Sequence, residues 1–313
     1  MTDSCACQED AAGGRRLPAY LGVGFGVLNV SFAAILIRLA QADAHSLAIA
    51  AWRLTLASLI LTPIVLATRR SEIVSLARRD CVLMAASGAL LAVHFASWIT
   101  SLAYTTVAAS VALVSTTPIF VGLASRMLLR EPLPRAMIAA ITIATIGSAV
   151  IGLGDLGRGA HHLQGDLLAI VGAISGAGYF LIGRRLRGGI SLPAYVYPVY
   201  GAAAVVLLAW LFASGLDPLP ATPRAWVWIA LMAVGPQLLG HSALNWALRY
   251  LSATYVTIAT LAEPIGSTLL AWLLLAETPS ALTLAGGAVV LIGVAVASRA
   301  ERAEPSEGVG DLA

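Results

Sequence analysis

The sequence predicts an all-α polytopic membrane protein, with ten transmembrane helices arranged as two inverted five-helix repeats. Three observations carry this prediction. Of the 313 residues, 59% are hydrophobic and only 11% are charged, against about half and about a quarter in a soluble globular chain. The apolar residues gather into ten runs, each near the roughly 20 residues that cross about 30 Å of hydrocarbon. The two halves of the chain also match at one fixed offset. A water-soluble enzyme and a disordered chain are excluded, and long unbroken runs do not fit the alternating strands of a membrane barrel.

The first five runs are Leu17–Ile37, Ser46–Thr68, Val82–Tyr104, Val107–Leu128 and Ala136–Leu153. The second five are Leu167–Ile182, Leu192–Ala213, Ala225–Leu248, Ser252–Ala276 and Ala281–Ser298. Turn and charge signals separate them at Gln41–His45, Arg69–Asp80, Glu131–Arg135, Gly154–Asp166, Arg184–Gly189 and Asp217–Pro223. Thr105–Thr106 is the shortest break, and it predicts a tight hairpin between the third and fourth spans. Residues 1–16 carry Asp3, Glu9 and Asp10 before the Arg15–Arg16 pair. They read as a polar tail ahead of an uncleaved helix, not as a signal peptide. Residues 17–153 then form the first repeat, 167–298 the second, and 299–313 a second polar tail.

All nineteen basic residues are Arg, and their placement sets the orientation. With the N-terminus inside, the inner side holds Arg15, Arg16, Arg69, Arg70, Arg78, Arg79, Arg126, Arg130, Arg135, Arg184, Arg185, Arg187, Arg249, Arg299 and Arg302. The outer side holds only Arg38, Arg158 and Arg224. Both termini are therefore expected in the cytoplasm of a cell whose plasma membrane, the inner membrane of a bacterium, holds the protein. The basic clusters report topology before they report binding of anionic lipid or substrate. A net charge of +3 spread in this way does not suggest a nucleic-acid partner. Three cysteines, Cys5, Cys7 and Cys81, make neither a disulfide framework nor a metal site.

The internal match pairs Arg38 with Arg184, Tyr104 with Tyr250, Pro118 with Pro264, Glu131 with Glu277 and Gly147 with Gly293, every pair 146 residues apart. Each half holds five spans, so the halves cross the membrane in opposite senses. An inverted repeat of this kind points to a secondary transporter with its site at the repeat interface. The stretch beginning at His94, HFASWITSLAYTTVAASVALVSTTPIFVGLASRMLLREPL, has a counterpart beginning at His241, HSALNWALRYLSATYVTIATLAEPIGSTLLAWLLLAETPS. With the spacings Pro118 to Glu131 and Pro264 to Glu277, these stretches resemble the repeat unit of EamA-type transporters in the drug/metabolite transporter superfamily. The resemblance covers roughly residues 17–300. It implies ten helices, a central cavity, a peripheral fifth helix in each half, and cargo such as amino acids, other small metabolites, nucleotide sugars or drugs.

Within the spans, charge is scarce and so easy to interpret. Arg53 lies in the second span, where a guanidinium costs about 2.5–3.5 kcal/mol on insertion scales. It either grips a carboxylate or phosphate bidentately or snorkels to the interface beside Trp52. Glu263 directly precedes Pro264 in the ninth span. Proline removes an amide donor, so a bend with exposed polar backbone is expected there. The carboxyl group can take up a proton in such a setting, or it closes the bend as a structural group. Its counterpart is Thr117, before Pro118.

His94, Trp98 and Ser101 share one face of the third span, and Gln237, His241 and Asn245 share one face of the eighth. Six polar groups cannot all face lipid, so they are expected to line a cavity. Tyr179, Tyr195, Tyr197 and Tyr200 add hydroxyls, with interfacial anchoring as the other reading. Gly22/Gly26 and Gly172/Gly176 read as close-packing pairs.

No cofactor or metal is called for. A rhomboid-like protease and a prenyltransferase both lack their motifs: the only near match, Gly172 to Gly176, has the wrong spacing, and no span contains Asp. The expectation is a non-enzymatic secondary transporter, an exporter of small metabolites such as amino acids, working by alternating access. Arg53, His94, Trp98, Ser101, Tyr179, Gln237, His241 and Asn245 are expected to bind substrate. Glu263 would couple protons, and Pro118 and Pro264 would gate. Proton-coupled drug efflux and metabolite uptake are the alternatives, and an intramembrane enzyme is a remote one. Its partners would be a small molecule, the bilayer and protons, with the protein a monomer or homodimer.

Overall fold

The computed structural model describes residues 3–105, 107–129, 133–153, 162–275 and 281–303, and among them every regular element is a helix. The first half comprises α1 (Asp3–Val30), α2 (Ala33–Gln41), α3 (Ser46–Thr68), the short α4 (Arg70–Val74) and α5 (Arg78–Tyr104). It continues with α6 (Val107–Val114), α7 (Thr117–Ala124), a π-helical stretch Ser125–Leu129, and α8 (Arg135–Leu153). The second half begins with α9 (His162–Arg187), α10 (Leu192–Ala213), α11 (Pro223–Met232), a π-helical stretch Ala233–His241 and α12 (Ser242–Ala247). It ends with α13 (Ala253–Thr260), α14 (Glu263–Leu275) and α15 (Ala281–Ala303). Among the described residues, nine segments are long and apolar enough to cross a bilayer, and the fifth in order, Arg135–Val150, is a shorter apolar helix. The molecule is an all-α polytopic membrane protein of two five-span halves.

Local chemistry explains where helices differ from the apolar runs. Residues 3–12 hold neither glycine nor proline, so α1 extends into the polar segment before Leu17. Helix α9 runs on to Arg187 because Arg184, Arg185 and Arg187 sit in its last turn, where cations meet the negative end of the helix dipole. The first span is not continuous. It breaks at Ser31, whose hydroxyl turns back to the Val27 carbonyl while Ser267 donates to the Ser31 carbonyl. Glu131 and Glu277, the far ends of the Pro-to-Glu spacings, lie outside the described residues, as do residues 154–161 and 304–313.

The prolines do more than bend their helices. Helix α6 stops at Val114 and α7 restarts at Thr117, and α13 stops at Thr260 while α14 restarts at Glu263. All four boundaries stand 146 residues from their counterparts. Pro118 and Pro264 are each the second residue of a new helix, where the missing amide is not needed.

Packing follows the repeat as well. The third span (α5) packs along the sixth (α9), and in exchange the eighth packs along the first. The second packs against the seventh and the fifth against the tenth, each its own counterpart. At the last crossing, a Cβ on Gly147 would stand 2.7 Å from the Gly286 carbonyl and from the Val290 nitrogen, and one on Gly293 would stand 2.8 Å from the Ala144 nitrogen. Ala144 and Val290 are themselves equivalent, so one close contact is made twice about a two-fold axis. Arg38 and Arg184 also play matching roles. Arg38 donates to the Thr105 carbonyl at the end of the third span, and Arg184 to the Leu248 carbonyl at the end of the eighth.

Candidate functional site

Arg53 is fully buried on α3, which rules out snorkelling. Its Nε donates to Gln237 Oε1 at 3.0 Å, and its guanidinium lies 4.2 Å from the centroid of the Phe95 ring. Among the described residues, neither terminal nitrogen, Nη1 or Nη2, has a hydrogen-bond partner. A buried charged donor left unsatisfied is costly, and the surrounding groups share the condition. Trp98 Nε1, Gln237 Nε2, His241 Nδ1, Asn245 Oδ1 and Glu263 Oε1 are all buried with no hydrogen-bond partner among the described residues.

These side chains come from the second, third, eighth and ninth spans. The π-helical stretch Ala233–His241 carries Gln237 and His241 into the interior, with Pro236 within it. The wider turn of a π-helix recurs at functional sites in other proteins. His241 meets Phe95 edge to face at 5.2 Å and Tyr179 at 6.2 Å. Asn245 donates through Nδ2 to the Tyr179 hydroxyl and to the His241 carbonyl. Tyr200 bonds to Ser242 Oγ at 3.2 Å. Glu263 is the first residue of α14, at the positive end of that helix, and it is close enough to Arg53 for their charges to interact.

The residues picked from the sequence therefore divide. Arg53, Gln237, His241, Asn245 and Tyr179 form one connected cluster with Glu263 beside it. His94 stands behind two of the aromatic residues of the site: its Nδ1 is 2.8 Å from the Gly172 carbonyl, and its ring meets Phe95 and stacks on Trp98. Ser101 is committed to Ser110 Oγ and the Trp98 carbonyl, tying the third span to the fourth. Gly176 makes room for the His94 ring, since a Cβ there would lie 2.9 Å from Nδ1. Thr117, the counterpart of Glu263, is satisfied by the Val114 and Ala173 carbonyls.

Tyr195 and Tyr200 are fully buried and so are not interfacial anchors. Arg187, grouped with the topological arginines, is buried too, donating to the Asn245 and Ile190 carbonyls. Phe95 carries no polar signal of its own. Its 146-residue offset from His241 would have found it.

Two copies of the EamA-like transporter family match the chain, over residues 17–153 and 163–299. Their starts and their ends each stand 146 residues apart. The chain is 26% identical over 233 residues to the pseudopaline exporter CntI of Pseudomonas aeruginosa (strain UCBPP-PA14), covering 73% of this chain and 79% of that protein. It is 27% identical over 192 residues to the uncharacterized transporter YdfC of Bacillus subtilis (strain 168), covering 60% of this chain and only 62% of YdfC. A solved crystal structure with 20% identity superposes with a TM-score of 0.75 over 92% of this chain and 98% of the other, a likeness of fold.

Proposed function

The chain belongs to the EamA-like transporter family, and from that premise we propose that it exports small metabolites such as amino acids by alternating access. Its coarser assignment, a membrane transporter of small molecules, follows from the family itself. The observation that carries the finer reading is the Arg53 cluster. A fully buried guanidinium whose terminal nitrogens have no hydrogen-bond partner among the described residues fits a carboxylate accepted bidentately.

Phe95, Trp98 and Tyr179 supply apolar walls, and the free atoms of Gln237, His241 and Asn245 supply further donors and an acceptor. Glu263, buried near Arg53, is the group proposed to bind a proton or a substrate ammonium. The paired breaks before Pro118 and Pro264 give the fourth and ninth spans a joint at matching depths, suited to gating. With the Arg-rich side cytoplasmic, both termini lie inside the plasma membrane. The named activity of CntI favours export over uptake. Membership of a transporter family favours transport over intramembrane catalysis.

The test is a metabolite screen comparing efflux from cells with and without the protein. Selective loss of carboxylate-bearing solutes from expressing cells is the expected result. Accumulation instead of loss would replace export by uptake, and selective movement of cationic drugs alone would overturn the assignment of substrate.

A further inference from the structure

Among the described residues, each face of the molecule carries a carboxylate that ties the segment between two spans of the first repeat to the start of a helix in the second. On the Arg-rich face, Glu72 follows the second span. Its Oε1 accepts from the Ser191 amide at 2.7 Å and its Oε2 from the Ser191 hydroxyl at 2.6 Å. Ser191 is the residue that caps α10. On the opposite face, Asp43 follows the first span. Its Oδ2 accepts from the Thr222 hydroxyl at 2.9 Å, and its carbonyl accepts from the Ala221 amide at 2.8 Å. Thr222 is the residue that caps α11. Exchanging the repeats turns the second-to-third and sixth-to-seventh loops into the seventh-to-eighth and first-to-second loops. The two ties are thus one connection made once on each face.

A second matched pair links each tie to the interior. Arg187 Nε donates to the Asn245 carbonyl at 3.0 Å, and Gln41 Nε2 to the Ile99 carbonyl at 2.8 Å. Gln41 and Arg187 stand 146 residues apart, as do Ile99 and Asn245. Each side chain also holds the loop that bears its face's tie: Arg187 bonds the Ile190 carbonyl beside Ser191, and Gln41 bonds Ser46 just past Asp43. On the Arg-rich face the chain of contacts runs from Glu72 through Ser191, Ile190 and Arg187 to Asn245, a member of the Arg53 cluster.

We propose that Glu72–Ser191 and Asp43–Thr222 are the paired closures of the two faces, with Arg187 and Gln41 as positioning residues that link each closure to the helix lining the site. This rests on the alternating-access reading, because it assigns the contacts that must break in turn. Both ties are formed in this structure. The two are unequal: the tie on the Arg-rich face is reinforced by the charge of Arg187, and its partner by a neutral Gln41.

The test uses the full-length protein in oriented vesicles, with Cys5, Cys7 and Cys81 replaced by serine and one reporter, Ser242→Cys, beside the site. A membrane-impermeant maleimide is added from one side at a time. Glu72→Ala is expected to raise labelling severalfold from the Arg-rich face and lower it from the other, and Asp43→Ala to do the reverse. Glu72→Gln, which keeps one acceptor oxygen for Ser191, is expected to fall between Glu72→Ala and the parent.

Unchanged rates, or a rise from both faces together, would overturn the closures. Two such failures are distinguishable. If the parent reporter is reached from either face but the variants leave the ratio unaltered, the closures fail and alternating access stands. If the reporter is reached from one face only, whatever the variant, alternating access fails as well. Glu72 lies on the short α4 and Asp43 in a turn, both outside the apolar spans, so the alanine variants are expected to spare the packing of the spans.

Discussion

Phe95 and His241 stand 146 residues apart in the sequence, and their rings meet edge to face with centroids 5.2 Å apart. Equivalent residues of two repeats touch only where the axis relating the repeats passes between them. The candidate site is therefore built on that axis, and its chemistry comes from the places where the repeats differ. One repeat puts a phenyl ring there to cover Arg53, and the other puts an imidazole with a free Nδ1.

Making the pair symmetrical tests what the imidazole does. His241→Phe keeps a ring at the axis and removes its nitrogens. A neutral hydrogen bond is worth about 0.5–1.5 kcal/mol, so KM for transport is expected to rise roughly twofold to tenfold with the melting temperature nearly unchanged. An unaltered KM in a proteoliposome flux assay would remove His241 from the substrate's contacts.

Arg53 makes a larger prediction. Hydrogen bonds to charged groups are worth about 1.5–3 kcal/mol, so Arg53→Met is expected to weaken a carboxylate-bearing substrate by at least about tenfold. Arg53→Lys, which keeps the charge but not the planar fork, should recover only part of this. Equal loss for an analogue lacking the carboxylate would mean that Arg53 holds the helices together and not the ligand.

Glu263→Gln preserves shape and removes the titrating proton. If Glu263 couples protons, the variant's transport loses its dependence on the proton gradient while expression stays normal. A flux–pH profile that matches the parent's would exclude that role.

The close crossing of α8 and α15 predicts a stability defect. A side chain at Gly147 would meet partner backbone at 2.7 Å, which cannot rotate away. Gly147→Val is expected to cost about 1–3 kcal/mol, read as a lower melting temperature in detergent. Gly201 has open space around it, so Gly201→Ala should leave the melting temperature unchanged or slightly higher.

The Glu72 tie predicts a pH dependence. Burial pushes the Glu72 carboxyl up, but the two Ser191 hydrogen bonds, with Arg69 and Arg187 nearby, hold it below the ordinary carboxylate range. A carboxylate depressed in the folded state adds stability above its unfolded value, and that stability is lost as pH falls through the folded value. Glu72→Gln should therefore lower the melting temperature near neutral pH and make little difference under acid conditions. A gap between variant and parent that persists in acid would contradict this.

Much of the fold was legible because the bilayer demands a plain signal. Spans must be apolar throughout, and Pro118 and Pro264 showed where helices break. The expected bend was a full restart, since a proline at the second position of a helix needs no donor. The break at Ser31 was not legible, because it is decided by Ser267, 236 residues away. In the site, Arg53 and the Gln237–His241–Asn245 stripe stood out as polar groups among apolar ones. His94 and Ser101 looked the same in sequence, yet His94 Nδ1 meets the Gly172 carbonyl and the Ser101 hydroxyl meets Ser110 and the Trp98 carbonyl.

The sequence by itself determined the class, the number of spans and the repeat, because hydropathy and a constant offset are properties of one chain read along its length. Only the tertiary structure decided which polar groups remain unpaired, that Phe95 and His241 meet on the axis, and that Arg187 is buried while Arg184 and Arg185 are not. Those facts depend on which distant helix lies opposite each side chain. A hydrogen bond with a reach of about 3 Å joins residues that the sequence holds far apart.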